Sequence, residues 1–211
     1  MIREKFKLAI KTYNKIAKLY SKVTFPKINQ YHLNKFISML PKNAKVLDAG
    51  CGSGKDAQYF NDYGLDVIGI DAAKKLIEEA KKNVKGVKFK TMDMAKTSFK
   101  DQTFDGIWAA GSLIHDEKCN IPTILEELKR ILKDDGVIYV AVKEGSGEEM
   151  KKEAVYNNEP RPFFYYTLPE IEKMMEQSGF QIIHSRFDED VLKRKDTKWI
   201  DVYCKKGRRI A

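Results

Sequence analysis

Cysteine is scarce here: Cys51, Cys119 and Cys204 are the only three in 211 residues, an odd count without C-x-x-C spacing. That excludes a disulfide scaffold and a structural zinc site, and no metal is expected. Such sparse thiols fit a reducing compartment, so the expected location is cytoplasmic. No apolar run reaches the roughly 18 residues of a membrane span. The first fifteen residues carry charges every few positions and lack the uninterrupted apolar stretch of a secretory signal. Repeats and low-complexity linkers are missing too. What remains is 43% hydrophobic and 33% charged, the balance of a globular protein. The length suits one buried core and is short for two full domains.

The net charge of +9 is unevenly spread. Residues 1–45 hold 11 Lys/Arg against one acid, residues 193–211 hold 8 against 2, and the middle holds 20 against 27. Basic ends on an acidic body can attract a phosphate-bearing partner. Yet Lys outnumbers Arg 32 to 7, the pattern of solvated helix faces, and no stacking-aromatic motif of RNA-binding type accompanies the charge.

Apolar spacing of three and four predicts helices over residues 6–20 and 29–40. From residue 45 strands and helices alternate. Strands are expected at 45–49, 65–70, 87–90, 104–109, 137–142, 180–184 and 199–204, with helices at 54–62, 73–83, 121–132 and 169–178. Residues 143–162 read as a polar, mobile stretch. The alternation implies an α/β fold with a mostly parallel sheet covered on both faces. The last two strands are joined by a short link without helical periodicity, so they should pair antiparallel.

The most specific feature is Val46-Leu47-Asp48-Ala49-Gly50-Cys51-Gly52-Ser53-Gly54. A strand ends in an acid, and three glycines at alternate positions open a helix, as a backbone must when a ligand lies against it. A phosphate-cradling P-loop fails twice, since Ala49 replaces its first Gly and Asp56 its Ser/Thr. A dinucleotide fingerprint needs glycine at position 55, where Lys55 stands, and would set Asp48 beside a diphosphate of like charge. The loop therefore calls for a ligand with a cation near Asp48 and no phosphate at the helix start. Asp71, 21 residues beyond Gly50, ends the next strand, where an acid can accept from two ribose hydroxyls.

The D-A-G-C-G-S-G run resembles motif I of the class I S-adenosylmethionine-dependent methyltransferases. The resemblance covers residues 45–205 and extends to Phe104-Asp105-Gly106-Ile107-Trp108, to the Leu132-Lys133-Asp134-Asp135-Gly136 turn (Asp134 where the family has Pro) and to Ser178-Gly179-Phe180. The segment Tyr13-Asn14-Lys15-Ile16-Ala17-Lys18-Leu19-Tyr20 is similar to the helix that covers the cofactor in that family. The resemblance implies a Rossmann-like seven-stranded sheet of order 3-2-1-4-5-7-6, its last strand antiparallel. It implies one domain with a helical cap (1–44), a core (45–205) and a basic tail (206–211). It also implies S-adenosylmethionine as the cofactor, becoming S-adenosylhomocysteine. By the same resemblance, the cofactor contacts are Asp48, Ala49, Gly50, Cys51, Gly52 and Gly54 for the methionine part, Asp71 and Ala72 for ribose and base, and Asp93 and Met94 for adenine. Ala109 and Tyr20 complete the set.

Methyl transfer from a sulfonium is an in-line displacement in which the protein supplies alignment, a dry site and sometimes a base. His115 is the general-base candidate; the competing reading is a histidine bonded to the loop backbone. Arg161, with Tyr165 and Tyr166 in the run R-P-F-F-Y-Y-T, could line the acceptor site. A [DN]-P-P-[YFW] tetrapeptide and a Pro-Cys nucleophile are both missing, which excludes exocyclic-amine and pyrimidine-C5 methylation of nucleic acid. The expected reaction is transfer to an O, N or S atom of a small molecule by a monomer or dimer. The alternatives are an RNA methyltransferase served by the basic ends, a non-catalytic cofactor-binding protein and, last, a nicotinamide dehydrogenase.

Overall fold

A computed structural model describes residues 3–190 and 197–207; residues 208–211, most of the expected basic tail, lie outside the described residues. In chain order the elements are α1 (Glu4–Thr24), α2 (Gln30–Ser38), β1 (Lys45–Ala49), α3 (Lys55–Asp62), β2 (Asp66–Asp71), α4 (Lys74–Asn83), β3 (Lys88–Thr91), β4 (Phe104–Ala110), α5 (Ile121–Ile131), β5 (Leu132–Lys143), β6 (Glu148–Lys151), β7 (Arg161–Phe164), α6 (Leu168–Gln177), β8 (Phe180–Glu189) and β9 (Lys198–Lys206).

Seven strands form one sheet of order β3-β2-β1-β4-β5-β9-β8. The first five pair in parallel, and β9 runs antiparallel to both β5 and β8. With β6 and β7 set aside this is the expected order 3-2-1-4-5-7-6. The apolar stretch 137–142 is buried on both faces, as a central strand requires. One face is covered through α5, whose Ile121, Ile124, Leu125, Leu128 and Ile131 recur at helical spacing and are all buried. Each such side chain contributes about 1.5–3 kcal/mol on leaving water. α6 starts at a capping box in which Thr167 and Glu170 bond reciprocally.

Two findings depart from the sequence reading. Residues 143–162 are folded: β6 and β7 form an antiparallel ribbon, with a 3₁₀ turn at Ala154–Tyr156 between them. What orders it is distant in sequence. Thr12 on α1 donates to the Pro160 carbonyl at 2.8 Å, and Arg161 is buried against α1. Local polarity cannot reveal such a contact. The expected cap also divides in two. α1 packs on α4 through Ala9, Tyr13, Ile16 and Ala17 against Ala73 and Leu76. α2 instead buries Leu33 and Phe36 against the sheet face carrying Val46 and Trp108.

Strand register sets up the site. Trp108, Tyr139 and Tyr203 lie in one row, and Ala110, Ala141 and Asp201 in the next, nearer the carboxyl end of β4. No described helix is long and apolar enough to cross a membrane.

Candidate functional site

The loop after β1 crosses into α3 through Gly50 and Gly54, both left-handed, with φ of +82° and +88°. A Cβ on Gly50 would stand 2.3 Å from Ser112 Cβ, so this glycine lets the loops after β1 and β4 approach closely. At Gly54 a Cβ would press on Phe89, Ala80 and Val84, which makes that residue a packing glycine.

Asp71 is fixed by two backbone donors, Gly52 N–H at 3.0 Å and Ala73 N–H at 2.8 Å. Burial outweighs both bonds and pushes its carboxyl up to about 6. Asp48 is buried with its Oδ2 lacking a hydrogen-bond partner. Burial, and next the charge of Asp56, hold its carboxyl well above the usual range. A site with this surplus of acid calls for a cation.

A cavity of about 90 Å³ opens beside this loop. Gly50, Gly52, Asp71, Ala72, Met94 and Tyr20, all expected from the sequence, form its wall, together with Phe6, Met92 and Ser112, which were not. Asp48, Ala49, Cys51, Gly54, Asp93 and Ala109 do not line it. Ala49 and Ala109 face the apolar core. The Cys51 thiol is pushed up by burial and by Asp48, which fits packing and not nucleophilic work. Asp93 accepts from Ala95 N–H at 2.9 Å and pairs with Arg3, whose guanidinium also pairs with Asp116. The buried Ser112 Oγ has no hydrogen-bond partner. Two unsatisfied buried oxygens, a loop without room for Cβ at Gly50 and a wall without Lys or Arg among the described residues suit a cationic amino-acid tail better than a phosphate.

A second cavity, of about 180 Å³, lies alongside and shares Tyr13, Tyr20, Ala110, Gly111 and His115 with the first. At this boundary His115 is half-buried at the end of the 3₁₀ turn Leu113–His115. Its Nδ1 meets the Pro162 carbonyl at 2.8 Å and must carry the proton, leaving Nε2 to accept from the Tyr13 hydroxyl at 2.8 Å. Burial drives the imidazole down to about 3, so it is neutral at physiological pH. Asp116 takes no part in orienting the ring; it accepts from Asn120 at 2.8 Å and from Arg3.

Arg161 lies on the wall of the second cavity, 2% exposed, paired with Glu153, and its Nη1 donates to Tyr13 Oη at 3.3 Å. The two tyrosines of the same run do not join it. Tyr166 is buried in the core, and Tyr165 turns outward to donate to Glu149 at 2.7 Å; neither lines either cavity. Sequence reasoning missed Tyr13, although it opens the same segment that ends in Tyr20. It also missed Asp56, which accepts from Trp108 Nε1 at 3.0 Å, and the cluster of His32, Asp188 and Asp201. No local pattern marks these last residues, which come from α2, β8 and β9.

Comparison with known proteins bears on this arrangement. Residues 46–136 match a family model described as a methyltransferase domain. Malonyl-[acyl-carrier protein] O-methyltransferase of Erwinia pyrifoliae is 33% identical over 112 residues, covering 52% of this chain and 42% of that protein. Other curated relatives are likewise covered over about a third to a little more than half of their length. A methyltransferase structure from Methanosarcina mazei superimposes with a TM-score of 0.73 at 19% identity, covering 85% of this chain and 98% of that one. The 1,6-didemethyltoxoflavin-N1-methyltransferase of Burkholderia thailandensis, solved with 1,6-didemethyltoxoflavin and S-adenosylhomocysteine, does so with a TM-score of 0.73 at 20% identity, covering 94% and 85%. Those two structures share the fold, while the matched segment contains the glycine loop, Asp71 and Met94. Residues 46–136 thus resemble a methyltransferase domain, and they sit in a fold shared with S-adenosylmethionine-dependent methyltransferase structures.

Proposed function

We propose that the chain transfers the methyl group of S-adenosylmethionine to an O, N or S atom of a small molecule held in the second cavity. One observation carries the reading: two adjoining cavities share a wall, and the glycine loop with Asp71 lines only one of them. Gly50, Gly52, Asp71, Ala72, Met94 and Tyr20 would hold the cofactor, with Asp48 and Ser112 as the unsatisfied groups nearest its charged tail. When bound, the cofactor supplies an electrophilic methyl group on a good leaving group. The protein's remaining work is to align the acceptor, exclude water and manage a proton. The Burkholderia neighbour, which holds an acceptor and S-adenosylhomocysteine together, supports a fold that seats both.

Tyr13 is the group that faces both cavities and a base at once. An acceptor proton arriving at its oxygen would be matched by release of the phenol proton to His115 Nε2, the ring remaining anchored to Pro162. Arg161 stabilises negative character on the same oxygen. His115 thus acts through Tyr13 and does not face the acceptor alone.

The test is titration of the full chain with S-adenosylhomocysteine by calorimetry, followed by transfer of labelled methyl to a broad panel of small acceptors. Saturable binding with label moving to at least one small molecule is expected. No binding would overturn the reading. Binding without transfer would favour a cofactor-binding protein, and steeply salt-dependent RNA binding with label in RNA would move the acceptor to nucleic acid.

A further inference from the structure

The acceptor cavity is electrically lopsided. Lys143 and Arg161 stand on the wall with Lys27 and the paired Lys55 and Asp56, while Asp188, Asp190 and Asp201 come from the end at β8 and β9. Asp201 is 2% exposed; its Oδ1 accepts from the Tyr139 hydroxyl, and its Oδ2 has no hydrogen-bond partner. His32 Nε2 lies 3.4 Å from that oxygen but is engaged with Asp188 Oδ2 at 2.7 Å, and its Nδ1 meets the Tyr203 hydroxyl at 2.6 Å. Two carboxylates around one imidazole, with Arg186 3.6 Å from the other oxygen of Asp188, leave a charge of −1 if the ring is neutral and none if it is protonated, and Asp201 Oδ2 is the oxygen left without a hydrogen bond. A buried carboxylate oxygen with surplus negative charge around it is costly unless a cation meets it.

The neighbouring walls suit an organic cation. Trp108 stacks on Tyr139, ring centroids 3.9 Å apart, and Trp199 also lines the cavity. Aromatic faces attract cations electrostatically and exclude water from the contact. Reach is set by the sheet. Asp201 is in register with Ala141, and Ala141 with Ala110, where the two cavities meet. Two strand spacings put the acidic end roughly 10 Å from that meeting point.

We propose that the acceptor carries an organic ammonium group that docks between Asp188 and Asp201, roughly 10 Å from the boundary where methyl transfer occurs. The proposal rests on the methyltransferase reading of the cavity. It makes the substrate class short amines, with the far end of the molecule presented beside Tyr13.

The test measures binding of three probes of one shape, phenethylamine, 2-phenylethanol and 3-phenylpropanoate, to the full chain with and without saturating S-adenosylhomocysteine. The amine should bind at least about tenfold tighter than its neutral and anionic counterparts. In Asp201→Asn that preference should shrink to within about twofold while S-adenosylhomocysteine affinity stays unchanged. Equal or tighter binding of the alcohol or the carboxylate to the wild type overturns the proposal, as does failure of all three at millimolar concentration. Zinc or manganese retained stoichiometrically by the wild type and lost in Asp201→Asn, without amine preference, also overturns it by making the cation a metal. Should Asp201→Asn not fold, the wild-type ratio and Asp188→Asn decide. Loss of S-adenosylhomocysteine binding with amine preference intact would instead strike the methyltransferase reading alone.

Discussion

The two cavities differ in how they are built. Apart from side chains of α1, the cofactor crevice is drawn largely from strand ends and the few residues after them: the loop after β1, Asp71 at the end of β2 and Ala72 beyond it, Met92 and Met94 after β3. The acceptor cavity takes Tyr13 from α1, Trp108 from β4, Tyr139 from β5, Arg161 from β7, Asp188 from β8 and Asp201 from β9. A ligand met by backbone and short loops leaves a contiguous signature. A ligand met by side chains of many elements leaves scattered single residues, each of which alone resembles ordinary core or surface.

The sharpest way to break that contrast is Gly50→Val. The residue has a positive φ, and its new side chain would drive into Ser112. S-adenosylhomocysteine affinity should fall at least about 100-fold, about 2.7 kcal/mol, while amine binding in the other cavity persists. Calorimetry on a variant shown to be folded by its thermal transition checks this. Equal loss at both cavities would mean that they are one site.

Tyr13→Phe probes the shared wall. It removes the hydroxyl between His115 and Arg161 and should lower turnover about 100-fold, the lower end of general-base effects, with little change in cofactor affinity. His115 itself is best read from stability. Its native value of about 3 lies below that of an unfolded histidine, about 6.5. Between those values the unfolded chain binds more protons, so this group's contribution to stability is lost as pH falls from about 6.5 towards 3. His115→Asn should reduce the acid-limb slope of denaturant-derived stability by up to about 1.4 kcal/mol per pH unit.

How much was legible in the sequence follows the same division. The alternation of strands and helices, the glycine loop and the place of Asp71 could be read because strand–turn–helix chemistry is local, whereas the sheet order came from the family resemblance. Arg161 was singled out through its place in an aromatic run and does line a cavity, but Tyr165 and Tyr166 were grouped with it although they lie beyond the end of β7, one bonded to Glu149 and the other in the core. The ribbon β6–β7 was hidden because its order comes from α1, more than a hundred residues away. His32, Asp188 and Asp201 meet only once the sheet is closed, and their spacing in the chain carries no period.

A milder effect is expected from Asp71. Its native carboxyl, near 6, must be ionised to accept from two hydroxyls while holding Gly52 and Ala73. S-adenosylhomocysteine affinity should therefore weaken as pH falls through about 6, by about tenfold at the acid end. Asp71→Asn should show the weak affinity at all pH values and lose that pH dependence. A titration curve unchanged by the substitution would mean that another group controls the crevice.

The smallest effect tests whether the crevice depends on anything remote at all. Arg3 precedes α1 and joins it to Asp93 and Asp116, while its guanidinium lies 3.9 Å from the ring of Phe6, a wall residue. Charge-assisted bonds of this kind contribute about 1.5–3 kcal/mol when shielded and less where water reaches them. This guanidinium is partly shielded, and cutting it frees the first turn of α1 without removing the rest of its packing on α4. Arg3→Ala should therefore speed S-adenosylhomocysteine release by about two- to fivefold in stopped-flow chase experiments, with the association rate nearly unchanged. Phenethylamine binding, whose anchors lie on β8 and β9, should not move. A larger change in release would make the helix a working part of the crevice equal to the glycine loop, and the contrast between a locally built site and a scattered one would then hold only for the floor of the crevice.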